Sequence, residues 1–414
     1  MTTDAPSKFT PSQRKRAVTF VLMTILIDAI GFGIIIPVLP RLVMEVGHID
    51  LARATQIGGW LALAYAFTQF VLGPTIGNLG DRYGRRRVLL FSLAGYSVDY
   101  LLMGFAPTLM WLFVGRFLAG IFGGTYGPCQ AALADITPPE ERAKTFGYVG
   151  AAFGLGFILG PAIGGALGEI VHRVPFFAAA ALAAINLVFG YFNFPETLDD
   201  AHRRPFDWKR ANPLGAIIQF AKTPGLLMIG ATYLLWQLSS MVYPAIWSYY
   251  GALRYGWGPG MVGFSLTIVG VMMVLCQAFV TGPTVKKFGE RRAAHIGLIA
   301  AMTGYIGYAF TTNSILAFAI MPVFMISGLV QPALSAMLSQ RVAANAQGEA
   351  QGFSASAMAL GSICAPLLYN ESLAHFSAKD ANPFFPGAPF IIATLLALAT
   401  LLALSLTARR NTPS

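Results

Sequence analysis

Three charged side chains stand where charge is expensive. Asp28 lies in Ile27-Asp28-Ala29-Ile30-Gly31-Phe32-Gly33, Asp99 in Ser97-Val98-Asp99-Tyr100 and Arg116 in Gly115-Arg116-Phe117, each well inside a long apolar run. At the centre of a membrane helix such a group costs about 2.5–3.5 kcal/mol on insertion scales. It is kept where it faces water or an opposite charge. Burial disfavours the charged form of a carboxylate, and a nearby guanidinium favours it. An acid set between these influences can take up and release a proton as its access to water changes. Asp28, Asp99 and Arg116 are therefore the proton-coupling candidates. A permanent Asp–Arg pair that only locks helices together is the other reading of the same residues.

A second set is polar but uncharged: Tyr65, Gln69, Tyr126, Gln130, Trp236, Gln237, Ser240, Tyr243, Gln277 and Gln331, all within apolar runs. Trp236, Ser240 and Tyr243 share one helical face by their spacing. An aromatic, amide-rich lining poor in charge suits a lipophilic or weakly charged organic molecule better than a phosphorylated one. Interhelical hydrogen bonding and aromatic packing use the same residue types. Outside the runs, Gly77-Asn78-Leu79-Gly80-Asp81-Arg82-Tyr83-Gly84-Arg85-Arg86 mixes one acid with several arginines. Its glycines permit a tight turn. Asp81 can accept from an arginine or from a helix N-terminus, so Asp81, Arg82, Gly84 and Arg85 are read as a gate. In another run, Gly156, Gly160, Gly164 and Gly168 recur every fourth residue beside Pro161. That makes a smooth stripe for close helix contact in lipid, expected at an interface between halves.

The elements that must hold these residues are membrane helices. Of 414 residues, 56% are hydrophobic and 11% charged, against about 25% charged in an ordinary soluble domain. Twelve windows are long and apolar enough to span, at roughly 16–39, 57–77, 87–106, 109–132, 143–168, 175–194, 226–250, 260–285, 293–311, 315–338, 350–375 and 386–407. Each meets the requirement of about 20 apolar residues, and lipid leaves the backbone no partner outside its own helix. The first run is too long for a signal h-region and has no cleavage site. Cys129, Cys276 and Cys364 fall within the windows and read as small apolar residues.

The net charge of +10 does not point to nucleic acid. With the N-terminus placed inside, 22 of the 28 Lys and Arg fall in inner loops, tails or the middle stretch, five in outer loops, and one is Arg116. This positive-inside bias puts both termini in the cytoplasm. The one long polar stretch, 195–222, reads as a cytoplasmic linker between residues 1–194 and 223–414. The two parts are related. Gly77 to Arg86 resembles Gly282 to Arg291 at an offset of 205, and the same offset takes Gly147 to Gly352, Gly156 to Gly361 and Pro161 to Pro366.

These motifs resemble those of the major facilitator superfamily: the loop at 77–87 with its copy at 282–292, and the glycine run 150–168 with Gly160-Pro161, which is similar to an antiporter motif. Asp28-Ala29-x-Gly31-x-Gly33 followed by Pro37-Val38-Leu39-Pro40, Ser97-x-Asp99-Tyr100, Ala134-Asp135-Ile136-Thr137, Phe153-Gly154-Leu155-Gly156, Val262-Gly263-Phe264-Ser265-Leu266 and Gln277-Ala278-Phe279-Val280 look like the tetracycline-resistance efflux proteins. The resemblance implies an all-α membrane fold of two six-helix repeats with the substrate between them near the midplane. It implies export of tetracycline, as a divalent-metal chelate, in exchange for protons. It also implies functional positions for Asp28, Asp99 and Arg116, with Gln69 near the substrate path. Where those exporters carry a histidine in span eight this chain has Met273, and where they carry an aspartate in span nine it has Ala301.

The expected function is a proton-coupled antiporter of the inner membrane, acting as a monomer without a cofactor and exporting tetracycline-like or other lipophilic compounds. The alternative within transport is a symporter or uniporter for a metabolite or sugar. A non-transporting membrane protein such as a receptor or enzyme finds no support in the sequence, which holds no ATP-binding loop, no metal-ligand cluster and no evident nucleophile–base pair.

Overall fold

The computed structural model describes residues 10–199, 201, 203–206, 227–342 and 347–409. Most of the expected linker, from residue 207 to 222, lies outside the described residues. Among the described residues the chain is helical throughout, with no strand. The first passage is α1, Pro11–Ile35, which begins before the apolar window because Thr10 and Gln13 form a capping box ahead of it. A short helix α2, Leu39–Gly47, follows. Then come α3 Leu51–Tyr83, α4 Arg85–Gly104, α5 Leu109–Phe122 with α6 Tyr126–Ile136, α7 Arg142–Ile170 and α8 Val174–Asn193. In the second part α9 Leu227–Ser240 and α10 Val242–Tyr255 make one interrupted passage. Next is α11 Pro259–Leu275, continued by a π-helical turn, Cys276–Thr281, into α12 Gly282–Phe310. The last passages are α13 Ser314–Met325 with α14 Val330–Ser339, α15 Gln347–Ser377 and α16 Ala388–Arg409.

All twelve expected windows fall on helix. Nine helices among the described residues are long and apolar enough to cross a membrane by length and composition. The difference from twelve has local causes. Windows eight and nine run together as 259–310. The α9–α10 passage is broken into pieces of 14 residues each. Helix α4 carries Arg85, Arg86, Arg87 and Asp99.

The chain divides into two compact units, Met1–Val38 with Phe67–Asn212 and Leu39–Ala66 with Pro213–Ser414. The boundary falls within α3, so 39–66 groups with the second unit and not with the first six spans. In the first unit α1 lies against α7. A methyl on Gly156 would meet the Ala29 Cβ at 2.6 Å and the Leu26 carbonyl at 2.7 Å, and one on Gly160 would meet the Ile30 carbonyl at 2.7 Å. At Gly164 it would run into the Ile34 backbone. The glycine stripe and Pro161, whose Cδ abuts Gly33, therefore pack span five onto span one of the same unit, correcting the expectation of an inter-half seam. The core beneath is apolar: Phe20, Ile25, Leu89, Leu93 and Leu133 are buried together.

In the second unit α12 runs beside α13, α14 and α16. An aromatic cluster fills this region. Tyr243 stacks on Trp247 at 4.2 Å between ring centroids, Trp247 meets Tyr308 at 5.0 Å, and Tyr308 meets Phe390 at 5.5 Å. Such contacts add about 0.5–1.5 kcal/mol each beyond the buried area.

Candidate functional site

Asp99 and Arg116 come together. The Arg116 Nη2 lies 3.7 Å from the Asp99 Oδ2. Asp99 is fully buried, and neither of its carboxylate oxygens has a hydrogen-bond partner among the described residues. The same Nη2 donates to the Met103 sulfur at 2.8 Å. Met103 sits one turn beyond Asp99 on α4, so a guanidinium from α5 reaches both. Gly115 lets α5 approach this closely, since a methyl there would lie 3.0 Å from the Asp99 Oδ1.

Asp28 is held separately. Its Oδ2 accepts from the Thr125 hydroxyl at 2.6 Å. Thr125 ends the Gly123–Thr125 turn that breaks span four between α5 and α6. Gln69 donates to the freed Gly123 carbonyl at 3.0 Å. Asp28 and Gln69 thus converge on one turn, a meeting that pattern reading missed. Its only trace in the sequence is Gly123-Gly124-Thr125 inside an apolar run. Tyr126 is half-exposed beyond the turn and Gln130 is partly buried one turn further on. Tyr65, also partly buried, belongs to the other unit.

The loop after span two is a closed network. Arg85 pairs with Asp81 at 2.5 Å and approaches Asp135 at 3.6 Å. Gly84 has φ +99, and a side chain there would strike the Glu196 carboxylate. Glu196 accepts from the backbone N–H of Arg85 at 2.8 Å and of Arg86 at 3.2 Å, so it caps the N-terminus of α4. Asp81 therefore takes the arginine, and Glu196 takes the helix end that Asp81 was expected to share. Arg82 lies over the Tyr83 ring at 5.0 Å. Glu196 and Thr197, which donates to Asp135 at 3.3 Å, were read from sequence only as the start of a linker.

A model of the major facilitator superfamily matches residues 21–366, with a second match at 226–414. The chain belongs to the major facilitator superfamily. It is 40% identical over 391 residues to a class C tetracycline resistance protein of Escherichia coli, covering 94% of this chain and 96% of that protein. It is 29% identical over 361 residues to multidrug resistance protein 2 of Bacillus subtilis (strain 168), covering 86% and 88%. A solved structure of a bacterial homologue of the human lysosomal transporter Spinster, inward-facing and occupied, matches with a TM-score of 0.78 at 14% identity, covering 97% of this chain and 98% of that one. The human organic anion transporter MFSD10 matches at 0.69 and 22%, covering 96% and 100%. The identity to the tetracycline resistance proteins, spread over nearly the whole chain, places this facilitator in their family.

In the second unit of the facilitator the expected lining residues divide. Trp236, Gln237 and Tyr243 are buried, and Tyr243 is part of the aromatic cluster, its hydroxyl without a partner among the described residues. The face expected to join Trp236, Ser240 and Tyr243 is interrupted at Met241, where α9 ends. There Ser240 turns back to donate to the Gln237 carbonyl at 3.2 Å. Gln331 donates to the Tyr233 hydroxyl. Gln277 lies exposed on the π-helical turn. Met273 is exposed and Ala301 fully buried.

Proposed function

We propose that this facilitator is a proton-coupled antiporter that exports tetracycline-like or other lipophilic organic compounds by alternating access. The observation that carries the reading is the Asp99 carboxylate. A pair kept only for structure gains by two parallel hydrogen bonds and satisfied lone pairs. Asp99 has one oxygen 3.7 Å from Arg116 and, among the described residues, no hydrogen bond on either, which suits an acid that changes its protonation. Asp28 supplies a second membrane-embedded carboxylate in the same unit. The name of the class C relative supports tetracycline as the compound to test first, with a divalent metal travelling as part of the cargo. The positive-inside distribution supports cytoplasmic termini and an inner-membrane location. We take the working unit to be a monomer.

The test is transport in inverted vesicles with an imposed pH gradient. Proton release on adding tetracycline with Mg²⁺, abolished by Asp28→Asn, is the expected result. Uptake that ignores collapse of the gradient refutes proton coupling.

A further inference from the structure

The turn that breaks span four makes a contact that the proposed proton cycle leaves unexplained. Residues 123–125 form a turn between α5 and α6, which belong to one passage, and Gly123 and Thr125 keep right-handed helical backbone angles on either side of it. The break is tightly enclosed. A methyl on Gly123 would lie 2.9 Å from the Tyr96 hydroxyl and 3.0 Å from the Gln69 amide nitrogen, and one on Gly124 would press on Ile76 at 3.1 Å. At its end Thr125, 3% exposed, gives its hydroxyl to Asp28 at 2.6 Å, while its own carbonyl accepts from the Cys129 N–H at 2.9 Å to start α6. Thr24, Thr55 and Thr232, buried threonines within helices, give their hydroxyls to the carbonyl one turn back. Thr125 instead reaches another helix.

We propose that Thr125 is a positioning residue that ties the protonation state of Asp28 to the break in span four. The inference rests on the reading of Asp28 as a proton carrier. An O–H donor prefers a carboxylate to a carboxylic acid, because a bond to a charged acceptor is roughly twice as strong. When Asp28 is ionised, the bond holds α6 against α1. When Asp28 takes a proton from water, its carboxylate becomes a neutral acid and the Thr125 hydroxyl loses its anionic acceptor. The hydroxyl is then free for the carbonyls of its own turn, and the break can change shape. Arg116 lies on α5, on the other side of this break, so a change there alters the register between Arg116 and the Asp28 side of the helix.

The surroundings of Asp28 are otherwise quiet. Helix α7 faces α1 here with Gly156 against Leu26 and Ala29, α8 supplies Asn186, which donates to Thr24 at 2.9 Å, and α4 supplies Tyr100 beside Gly31. Cys129 on α6 is the nearby thiol. Among the described residues no charged side chain is paired with Asp28, so the hydroxyl is the contact that distinguishes its two states.

The experiment is infrared difference spectroscopy of the purified full-length protein across pH, without substrate, using Asp28→Asn to assign the carboxyl band. A hydrogen bond to a charged group is worth enough to change an equilibrium about tenfold. Thr125→Val is expected to move the titration midpoint of the Asp28 band by about one pH unit, which is that tenfold change, and to change the frequency of the band. Thr125→Ser keeps the hydroxyl and should behave as the native protein. In inverted vesicles, Thr125→Val should reduce pH-gradient-driven tetracycline accumulation about tenfold while sparing gradient-independent tetracycline counterflow. Thr125→Ala serves as the second hydroxyl-free variant if Thr125→Val does not fold. An Asp28 band that titrates identically with and without the hydroxyl overturns the inference and leaves the proton-carrier reading standing. No titrating band lost in Asp28→Asn overturns both.

Discussion

The loops at 77–87 and 282–292 share a backbone and differ in charge. Gly84 and Gly289, 205 residues apart, both have positive φ, +99 and +77. Arg86 donates to the Tyr191 carbonyl at 2.6 Å near the end of α8, and its counterpart Arg291 donates to the Ser405 carbonyl at 2.9 Å near the end of α16. Arg82 over Tyr83 matches Lys287 over Phe288, at 5.0 and 5.1 Å. Yet Asp81 and Arg85 become Lys286 and Glu290. The Arg85–Asp135 approach becomes a hydrogen bond from the uncharged Gln340 amide to the Glu290 carboxylate at 3.1 Å. The repeat thus preserves what the turn needs, a residue at positive φ and an arginine on the last helix, and frees the rest.

The same contrast runs through the spans. At the offset of 205, Asp28 becomes Tyr233, Asp99 becomes Gly304 and Arg116 becomes Met321. Where the first unit buries charge, the second sets Phe324 against Gly304, packs the same ring with Tyr305 and Tyr308, and buries Met321 fully. The two units therefore differ in what they bury: charged side chains in one, an aromatic core in the other.

The division can be broken most sharply at the matched pair Asp28 and Tyr233. Asp28→Asn should lower gradient-driven efflux at least about 100-fold, in the range lost when a proton-transfer group is removed, while Tyr233→Phe keeps it within a few-fold. Initial rates in inverted vesicles compare the two, and equal losses dissolve the contrast. The next effect is on stability. Arg116→Met should destabilise the protein by about 3–5 kcal/mol by stranding a buried carboxylate, and adding Asp99→Asn should restore most of it. Thermal unfolding in detergent reads both; a double variant no better than the single shows that the charge is not what matters. Gly156→Ala drives a methyl into span one and should lose roughly 1–3 kcal/mol. Its counterpart Gly361→Ala meets the Gln237 carbonyl only at ordinary contact, 3.4 Å, and should stay within about 0.5 kcal/mol; the same unfolding assay decides. Smallest is Glu196→Gln. It removes the charge from the α4 N-terminus for about 0.3–1 kcal/mol, an effect that should shrink in high salt, whereas the matched Leu401→Ala should show no such salt dependence.

Some of this was legible because it is written in single residues or in strict repeats. Lipid makes apolar length diagnostic, so the twelve windows all fell on helix. A charge in an apolar run is conspicuous, so Asp28, Asp99 and Arg116 stood out with no structure. A constant offset exposed the two-fold repeat. The partner of each group was not legible. Arg116 could as well have met Asp28 as Asp99, since both acids lie in neighbouring spans and pattern says nothing about which helix faces turn together. Trp236 and Tyr243 have the spacing of a cavity wall, but Met241 interrupts the helix and aromatic packing claims Tyr243.

Sequence by itself determined that this chain is a membrane protein of two related six-helix parts with its embedded charges in the first. The cost of charge and unpaired backbone in lipid permits little else. Tertiary structure alone decided that the glycine stripe joins span five to span one, that Glu196 caps α4, and that Thr125 holds Asp28. Those are contacts between residues far apart in the chain, 97 positions for Thr125 and Asp28 and 111 for Glu196 and Arg85, fixed by the rotation of each helix about its axis. That rotation depends on how neighbouring side chains fit, which no single stretch of sequence contains.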